Sequence, residues 1–315
     1  MLARLALVGL LVPLSAAAQS EKPKVFYFPK PVARTHYQPP MKPVTRLADL
    51  KAKHQGEANW RELVIDDGNT KASMVQEAPG TRHARRLYPD SPAWWAVLAG
   101  RIRYEIEKPE GGFEIVEARK GSYVFVPERM VHSFEVVGDE PAIRFEVTLY
   151  EATPVFQEKP ADSSGVEYIP VTLSTGMNPL DVPDPDGKPW PSHVNIYDLE
   201  KENAGRPRWT VPAMRKNRAR GNFICGQASA EPALKPGNRG HFHADFAETW
   251  VVMLGKLRWI FEGDVENAVI AEQGDIVYAP PKTFHLPQFY GEEGLNCRLT
   301  NSTFPSANHL YDAEE

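Results

Sequence analysis

The chain is poor in cysteine and has no long apolar run. It contains 2 cysteines among 315 residues and no apolar stretch of 18 residues. Two cysteines exclude a disulfide-framework protein and a four-cysteine zinc module. The missing apolar stretch argues against stable membrane insertion. Positive charge is not in excess either, because 36 Lys and Arg oppose 41 Asp and Glu for a net charge of −5. A general attraction to nucleic acid is therefore excluded.

Proline, by contrast, is abundant. The 29 prolines in 315 residues amount to about 9% of the chain, against a usual share of about 5%. This content argues against a mainly helical protein. The 42% hydrophobic and 24% charged residues are ordinary globular values, and the length suits two domains.

The first twenty residues have the layout of a signal peptide. A charged start precedes an apolar run over residues 5–14 and small residues that end at Ala18. This run is too short to span a bilayer comfortably, and a retained membrane anchor is the less favoured alternative. We therefore predict cleavage after Ala18 and a periplasmic or secreted protein. In an oxidising space Cys225 and Cys297 either pair or remain two buried thiols, and the sequence leaves both alternatives open.

Two parts of the chain repeat each other. Trp95 and Gly100 recur 155 positions later as Trp250 and Gly255. Gly121, Pro127 and His132 recur 153 positions later as Gly274, Pro280 and His285. Residues 101–107 alternate polar and apolar side chains, which is typical of a strand with one buried face. A duplicated unit of short strands and glycine turns predicts an all-β protein with two tandem units, each an antiparallel jelly roll or barrel.

This repeat divides the chain into six parts. We expect a signal peptide at 1–18, an extended arm at 19–60 with a short helix near 45–53 capped by Thr45, an N-terminal barrel at 61–155, a linker or wrapping segment at 156–212, a C-terminal barrel at 213–304 and a tail at 305–315.

The second repeat contains a metal-ligand pattern. Side chains two residues apart lie on the same face of a strand, so His241 and His243 can reach one ion. Glu248 opens an apolar strand, where a carboxylate is costly unless something positive neutralises it. His285 follows the second glycine turn. Together these residues predict a site of three nitrogens and one oxygen with open positions for substrate or dioxygen.

The spacing of these residues resembles the two motifs of the cupin superfamily. The matching positions are Gly237, His241, His243, Glu248 and Gly255 in the first motif, and Gly274, Pro280 and His285 in the second. Lys282 occupies a place that is usually glycine, and we expect it to alter the turn. The resemblance implies two double-stranded β-helix barrels and one divalent transition metal: manganese, iron, nickel, copper or zinc.

The N-terminal repeat departs from the pattern. Counted back from Gly100, Arg86 and Tyr88 stand where the two histidines belong, and Ala93 stands where the glutamate belongs. A three-residue insertion would instead place His83 and Asp90 beside His132, with Arg85 between them in sequence. A guanidinium cannot bind metal. We therefore favour a metal-free barrel in which His132 is a hydrogen-bonded interior histidine.

Alternation predicts an aromatic, dry interior around the C-terminal metal. The side chains expected to point inward are Trp250, Val252, Leu254, Leu257, Trp259 and Phe261. Trp250 is a catalytic candidate because it lies two residues from a ligand. Tyr290 and Arg298 are candidates to hold an anionic substrate at the barrel mouth.

These features favour an exported, metal-dependent enzyme that acts on a small aromatic, keto or carboxylic molecule. Dioxygenase-type oxidoreductase chemistry comes first, and metal-assisted decarboxylation or isomerisation is the alternative. The two-barrel layout is also similar to that of oxalate decarboxylases, but Asn238 stands where those enzymes carry an arginine, with Arg239 one step out of phase. A non-catalytic cupin that binds a metal or small molecule is the rival, because no proton donor follows His285. A homo-oligomer is compatible with the sequence.

Overall fold

The structure is a computed structural model that describes residues 26–28, 37–108, 110–149, 152–160, 166–173, 191–216, 219–232, 234–292, 294–302 and 308–312. The predicted signal peptide lies outside these residues, as does most of the arm before residue 37. Among the residues described, none of the helices has the length and apolar character needed to cross a membrane.

Strands make up most of the described chain. The strands of the first half are β1 (Val44–Thr45), β2 (Trp60–Asp66), β3 (Thr70–Glu77), β4 (Arg82–Leu87), β5 (Ala93–Ala99), β6 (Arg101–Glu107), β7 (Phe113–Arg119), β8 (Ser122–Val126), β9 (His132–Val137), β10 (Ala142–Leu149) and β11 (Val155–Phe156). Those of the second half are β12 (His193–Asn195), β13 (Arg208–Lys216), β14 (Ala219–Gln227), β15 (His241–Phe242), β16 (Glu248–Leu254), β17 (Lys256–Phe261), β18 (Val269–Glu272), β19 (Ile276–Ala279), β20 (His285–Tyr290), β21 (Leu295–Ser302) and β22 (Leu310–Tyr311). Two short helices, α1 (Leu47–Lys53) and α2 (Ile196–Glu202), follow β1 and β12.

The strands form two barrels of two sheets each. The N-terminal barrel combines a six-stranded sheet, β12-β8-β5-β10-β3-β2, with a five-stranded sheet, β11-β4-β9-β6-β7. The C-terminal barrel combines β1-β19-β16-β21-β14-β13 with β18-β17-β20-β15-β22. The paired strands are antiparallel. Strands that correspond to each other in the two repeats have the same neighbours in the two six-stranded sheets, as β5 and β10 do in one and β16 and β21 in the other. The predicted all-β class with two tandem jelly-roll barrels is confirmed.

Each barrel is completed by a strand from the other repeat. β1 precedes the N-terminal barrel in sequence but pairs with β19 of the C-terminal barrel. β12 precedes the C-terminal barrel but pairs with β8 of the N-terminal barrel. This exchange covers one edge of each six-stranded sheet and ties the two repeats together.

The equivalent glycines Gly121 and Gly274 lie where the helices α2 and α1, respectively, pack against the barrels. Their φ angles are +85° and +93°. A Cβ on Gly274 would lie 2.5 Å from Leu47 Cδ2 of α1, and one on Gly121 would lie 2.7 Å from Ile196 Cγ2 of α2. Only glycine satisfies both the left-handed backbone and the close approach.

The helix expected near 45–53 is present, but its predicted cap is wrong. Arg46, not Thr45, occupies the N-cap position, and no side chain caps the helix there. Instead Asp275 of the C-terminal barrel accepts the backbone N–H of Leu47 at 3.0 Å and pairs with Arg46 at 3.1 Å. The helix start is therefore satisfied by the barrel on which it packs.

The apolar faces of the two six-stranded sheets pack against each other in one shared core. This core contains, from the N-terminal barrel, Trp94 and Phe145, and from the C-terminal barrel, Phe223, Cys225 and Cys297. The two cysteines lie opposite each other on β14 and β21 and form a disulfide. Of the two alternatives left open by the sequence, the paired one is present.

One residue expected in the C-terminal barrel interior faces elsewhere. Trp250 and Val252 are fully buried inside the barrel, as predicted, together with Leu257 and Trp259. Leu254 instead packs against the core between the barrels. A β-bulge between Val252 and Leu254 shifts the register and turns Leu254 to the other face.

Candidate metal centre

Three histidines and one glutamate converge at one end of the C-terminal barrel. His241 on β15 lies opposite His285 on β20, which places their Nε2 atoms 3.1 Å apart. Glu248 Oε2, at the start of β16, lies 2.9 Å from His243 Nε2, 3.2 Å from His285 Nε2 and 3.8 Å from His241 Nε2. In the described part of the chain, this is the one group of three or more potential ligands whose ligand atoms all lie within 4.8 Å of one another.

Backbone carbonyls set the orientation of two of these imidazoles. His243 Nδ1 donates to the Asn308 carbonyl at 2.9 Å, and His285 Nδ1 donates to the Thr283 carbonyl at 2.9 Å. A carbonyl can only accept, so the proton of the neutral ring is on Nδ1. The Nε2 lone pair of each ring then points toward the Glu248 carboxylate, an arrangement typical of metal-bound histidine.

Burial and mutual proximity set the charge of the cluster. Burial lowers the pKa of His241, which keeps this imidazole neutral near pH 7. Burial alone would raise the pKa of Glu248, but the three surrounding imidazoles lower it well below its usual range. The cluster therefore combines imidazole nitrogens with one ionised carboxylate in a buried position.

This donor set fits a divalent transition metal. Lone pairs of buried nitrogens that face a carboxylate at about 3 Å repel it unless a cation lies between them. Imidazole and carboxylate ligands suit the ions from manganese to zinc, and four ligands leave positions open on an octahedral ion. The site is thus compatible with one divalent metal ion.

The same positions of the N-terminal barrel carry different side chains. Arg86 lies opposite His132, as His241 lies opposite His285. Ala93 lies opposite Val126 just before Pro127, as Glu248 lies opposite Ala279 just before Pro280. The backbone register thus agrees with the alignment that replaces two histidines by Arg86 and Tyr88 and the glutamate by Ala93.

The alternative alignment with an insertion is wrong. It would place His83 at the position of His241, but His83 lies opposite Phe134 and hydrogen-bonds Glu77 at 2.9 Å. Asp90 and His132 therefore do not form a metal cluster with His83. His132 is fully buried, its Nδ1 donates to the Met130 carbonyl at 3.2 Å, and burial lowers its pKa to about 3.

The turn at Lys282 keeps the conformation of a glycine turn. Lys282 and Arg129, at equivalent positions, both have φ +64°. The Lys282 N–H donates to the His243 carbonyl at 2.6 Å, and the Arg129 N–H donates to the Tyr88 carbonyl at 2.7 Å. The expectation that Lys282 alters the turn is therefore wrong, and its backbone helps to hold a candidate ligand.

Two of the three catalytic candidates lie in the barrel interior. The Trp250 ring centre is 5.0 Å from that of His285. Arg298 lies opposite Val252, and cross-strand partners share a face, so its side chain enters the interior. Tyr290 is five residues from His285 along β20 and faces the other way, with the Arg258 guanidinium 5.4 Å from its ring centre. The structure therefore does not bring Tyr290 to the cluster.

Arg298 is buried, and two of its three guanidinium nitrogens lack a hydrogen-bond partner among the described residues. Its exposed fraction is 6%, and the two nitrogens are Nε and Nη1. Its Cζ lies 5.4 Å from the Phe289 ring centre. Burial lowers the pKa of Arg298 to about 10, and the Glu248 carboxylate acts in the opposite direction. The guanidinium is therefore charged near pH 7, with two free donors inside the barrel.

Sequence reasoning missed the short strand β22 and His309 beside it. β22 pairs with β15, so that Tyr311 lies opposite His241. The His309 ring centre is 4.1 Å from that of His241, and burial lowers the pKa of His309 to about 4. Alternation over residues 309–311 was a weak signal for a strand, but the partner of so short a strand cannot be read from the sequence.

Arg239 lies outside the cluster. Its guanidinium pairs with Asp312 at 2.8 Å and stacks on the Phe284 ring at 3.9 Å. These contacts hold the strand-forming end of the tail against the barrel, and they occupy the donors of Arg239.

Comparison with known proteins identifies the fold. No protein-family model and no curated protein sequence matches this chain. Among solved structures, a cupin 2 conserved barrel domain protein from Leptotrichia buccalis is similar with a TM-score of 0.52 and 10% identity, covering 82% of this chain and 95% of that one. The formate complex of Lactobacillus farciminis oxalate decarboxylase has a TM-score of 0.51 and 14% identity, covering 81% and 84%. A tryptophan-to-phenylalanine variant of Bacillus subtilis oxalate decarboxylase has a TM-score of 0.50 and 14% identity, covering 93% and 89%.

The similarities to solved structures and the strand order indicate the same fold. The chain has the tandem cupin fold, with a three-histidine, one-glutamate centre in its C-terminal barrel.

Proposed function

We propose that this protein is an exported enzyme that uses one divalent metal, held by His241, His243, Glu248 and His285, to act on a small organic anion, with dioxygenase-type chemistry. The observation that carries this proposal is that Nε and Nη1 of the buried Arg298, in the same barrel interior, have no hydrogen-bond partner among the described residues. A buried charge without a partner is costly, so such a residue is retained where a ligand supplies the opposite charge.

The side chains around the cluster have separable tasks in this proposal. Arg298 binds a carboxylate or enolate oxygen of the substrate through its two free donors. Trp250 and Trp259, whose ring centres are 5.7 Å apart, are fully buried and exclude water. The Thr283 and Asn308 carbonyls fix the two imidazoles that they hydrogen-bond. When bound, the metal supplies Lewis acidity and, if redox-active, electron transfer to dioxygen.

Metal-assisted decarboxylation or isomerisation is the second candidate function. Both reactions require a group that moves a proton, and His309 is favoured for that role because its ring lies over His241. The solved oxalate decarboxylases show that this fold can support decarboxylation, although a fold alone does not fix a reaction. The rival without catalysis is a cupin that only binds its metal or ligand.

Turnover in the presence and absence of oxygen separates these functions. The native protein is assayed against phenols, keto acids and dicarboxylic acids, with oxygen consumption and carbon dioxide release both recorded. Oxygen consumption coupled to product supports the dioxygenase proposal. Carbon dioxide release that persists without oxygen supports decarboxylation. Full metal occupancy with no turnover in any assay supports the binding protein.

Glu248→Gln tests whether the metal is catalytic. The variant keeps the shape of the side chain but removes its negative charge, which changes the electronic character of the ion. We expect turnover to fall at least about tenfold more than metal occupancy. Glu272→Gln, on an exposed residue paired with Lys256, is the matched control and should leave both unchanged. A loss of activity that only follows metal occupancy would favour a structural ion.

Export is supported by the leader pattern and by the disulfide. Disulfides persist in oxidising compartments such as the periplasm and the cell exterior. We expect the mature chain to begin at Gln19. Intact-mass measurement of the protein from its own compartment checks this, and a retained leader would contradict it.

A further inference from the structure

The mouth of the N-terminal barrel contains an open pocket of about 670 Å³. We call this the N-terminal mouth pocket. It is lined by Arg61, Lys71, Arg86 and Glu146 and, on its apolar side, by Leu63 and Tyr88. Its volume falls in the range of pockets that hold small organic ligands, roughly 300 to 1,000 Å³.

Positive charge exceeds negative charge in this pocket. Glu146, its one acidic lining residue, already accepts hydrogen bonds from Arg61 at 2.9 Å, from Trp95 Nε1 at 3.0 Å and from the buried Arg144 at 3.2 Å. Within the described residues, neither Lys71 nor Arg86 has a carboxylate within ion-pair distance. The pocket therefore presents unneutralised cationic groups to whatever enters it.

Arg86 is the cationic lining residue of this pocket that has a buried donor without a partner. Its buried Nε has no hydrogen-bond partner among the described residues, and its one polar side-chain contact is a long one to His83 Nδ1 at 3.5 Å. Its backbone position corresponds to that of His241 in the other barrel. Where the C-terminal barrel has a metal ligand, the N-terminal barrel thus has a permanent positive charge with a free donor.

We propose that the N-terminal mouth pocket is a second ligand site that binds a small organic carboxylate. The carboxylate pairs with Arg86, supported by the charges of Lys71 and Arg61, and the carbon skeleton lies against Leu63 and Tyr88. This site needs no metal, because the guanidinium supplies the positive charge.

Calorimetric titration with succinate tests the proposal. The metal-loaded wild type is compared with Arg86→Gln, Lys71→Gln and Arg82→Gln. Arg82 is the matched control, because it lies on the same strand, carries the same charge and pairs with Glu135 on the exposed surface outside the pocket. We expect Arg86→Gln to weaken succinate binding at least about tenfold and Lys71→Gln to weaken it less, with Arg82→Gln unchanged.

Arg298→Gln separates this site from the metal centre. The variant should remove any succinate binding in the C-terminal barrel and leave the Arg86-dependent binding intact. Equal weakening by Arg86→Gln and Arg82→Gln would show a general charge effect and overturn the proposal. Loss of all binding in Arg298→Gln, with none lost in Arg86→Gln, would overturn it as well. Circular dichroism of each variant verifies that the fold is kept.

Discussion

Arg144 and Arg298 occupy equivalent positions in the two barrels but have opposite surroundings. Arg144 lies opposite Val97 and Arg298 lies opposite Val252, at the same place in the repeat. The fully buried Arg144 pairs with Glu77 at 2.7 Å and with Glu146 at 3.2 Å. Arg298 has no carboxylate within ion-pair distance in the described chain. One arginine thus serves the structure of its barrel, and the other is available to a ligand.

Replacing each arginine by methionine should have opposite effects on stability. Arg144→Met leaves two buried carboxylates without their partner, and we expect a loss of about 3–5 kcal/mol in the free energy of unfolding. Arg298→Met removes an unpaired buried charge, so stability should be unchanged or higher, while the substrate KM rises at least about tenfold. Denaturant unfolding and steady-state kinetics check both. A large loss of stability in Arg298→Met would contradict the ligand role.

His132 should make the protein less stable in acid. Its pKa is lowered from 6.5 to about 3 in the folded chain, so only the unfolded chain takes up a proton between these values. Its contribution to stability is therefore complete above pH 6.5 and is lost as the pH falls toward 3, by about 1.4 kcal/mol per pH unit. In His132→Gln the unfolding free energy should fall less steeply over this range. If the unfolding free energies of the wild type and His132→Gln had the same pH dependence, the burial of a neutral imidazole would be contradicted. The difference between the two unfolding free energies at pH 7.5 gives the cost of the substitution itself.

At the residue scale, spacing identified the residues that share one motif. His241, His243, Glu248 and His285 follow a pattern whose strand geometry brings them together, so local sequence was sufficient. His309 was missed because its position depends on a short tail strand, β22, that pairs with β15, far away in the sequence. Tyr290 was misplaced because its side chain alternates to the outer face of β20. The positions of both side chains depend on how the strands pair and in which register, and the spacing of residues in the sequence does not reveal this.

At the element scale, the exchanged segment β1–α1 connects the N-terminal arm to the C-terminal barrel. Its attachment depends on the close approach of Leu47 to Gly274 and on Asp275, which satisfies the helix start. α2 makes the equivalent approach to Gly121 in the other barrel. Helix packing at a glycine is therefore a repeated element of this architecture, and its contribution can be measured.

Gly274→Ala should cost more stability than Gly56→Ala. Gly56 has φ +87° and no atom within 4 Å of an added Cβ, so alanine there meets backbone strain alone, about 1–3 kcal/mol. Gly274 has φ +93° and Leu47 Cδ2 at 2.5 Å, so alanine there adds a steric overlap of about 1–3 kcal/mol. Denaturant unfolding measures both. Leu47→Ala should recover part of the difference in the Gly274→Ala background, and equal costs for the two glycines would contradict the packing of α1 on this barrel.

Alternation predicted the strands well where the ladder is regular. It failed at Leu254 because a bulge after Val252 adds a residue, and bulges have no reliable sequence signal. The strand exchange of β1 and β12 was also beyond the sequence. Both strands are too short to show a pattern, and their pairing is decided by the partner sheet.

At the scale of the whole molecule, a duplicated sequence has produced two barrels with different interiors. The repeat of glycines and tryptophans predicted the number of barrels and their fold, because both features define the turns and the core. It did not predict the shared core between the six-stranded sheets or the disulfide at Cys225 and Cys297, since these depend on how the barrels face each other. The N-terminal barrel keeps the architecture but has an ion-pair network in place of the ligand set.

Metal stoichiometry tests the central claim most directly. Elemental analysis of the protein purified from its own compartment should give one divalent transition metal per chain. His241→Ala and Glu248→Ala should abolish binding, and His132→Ala should leave it intact, because only the C-terminal barrel, within the described residues, offers converging nitrogen and carboxylate donors. Two metals per chain, or loss of the single metal in His132→Ala, would contradict the account.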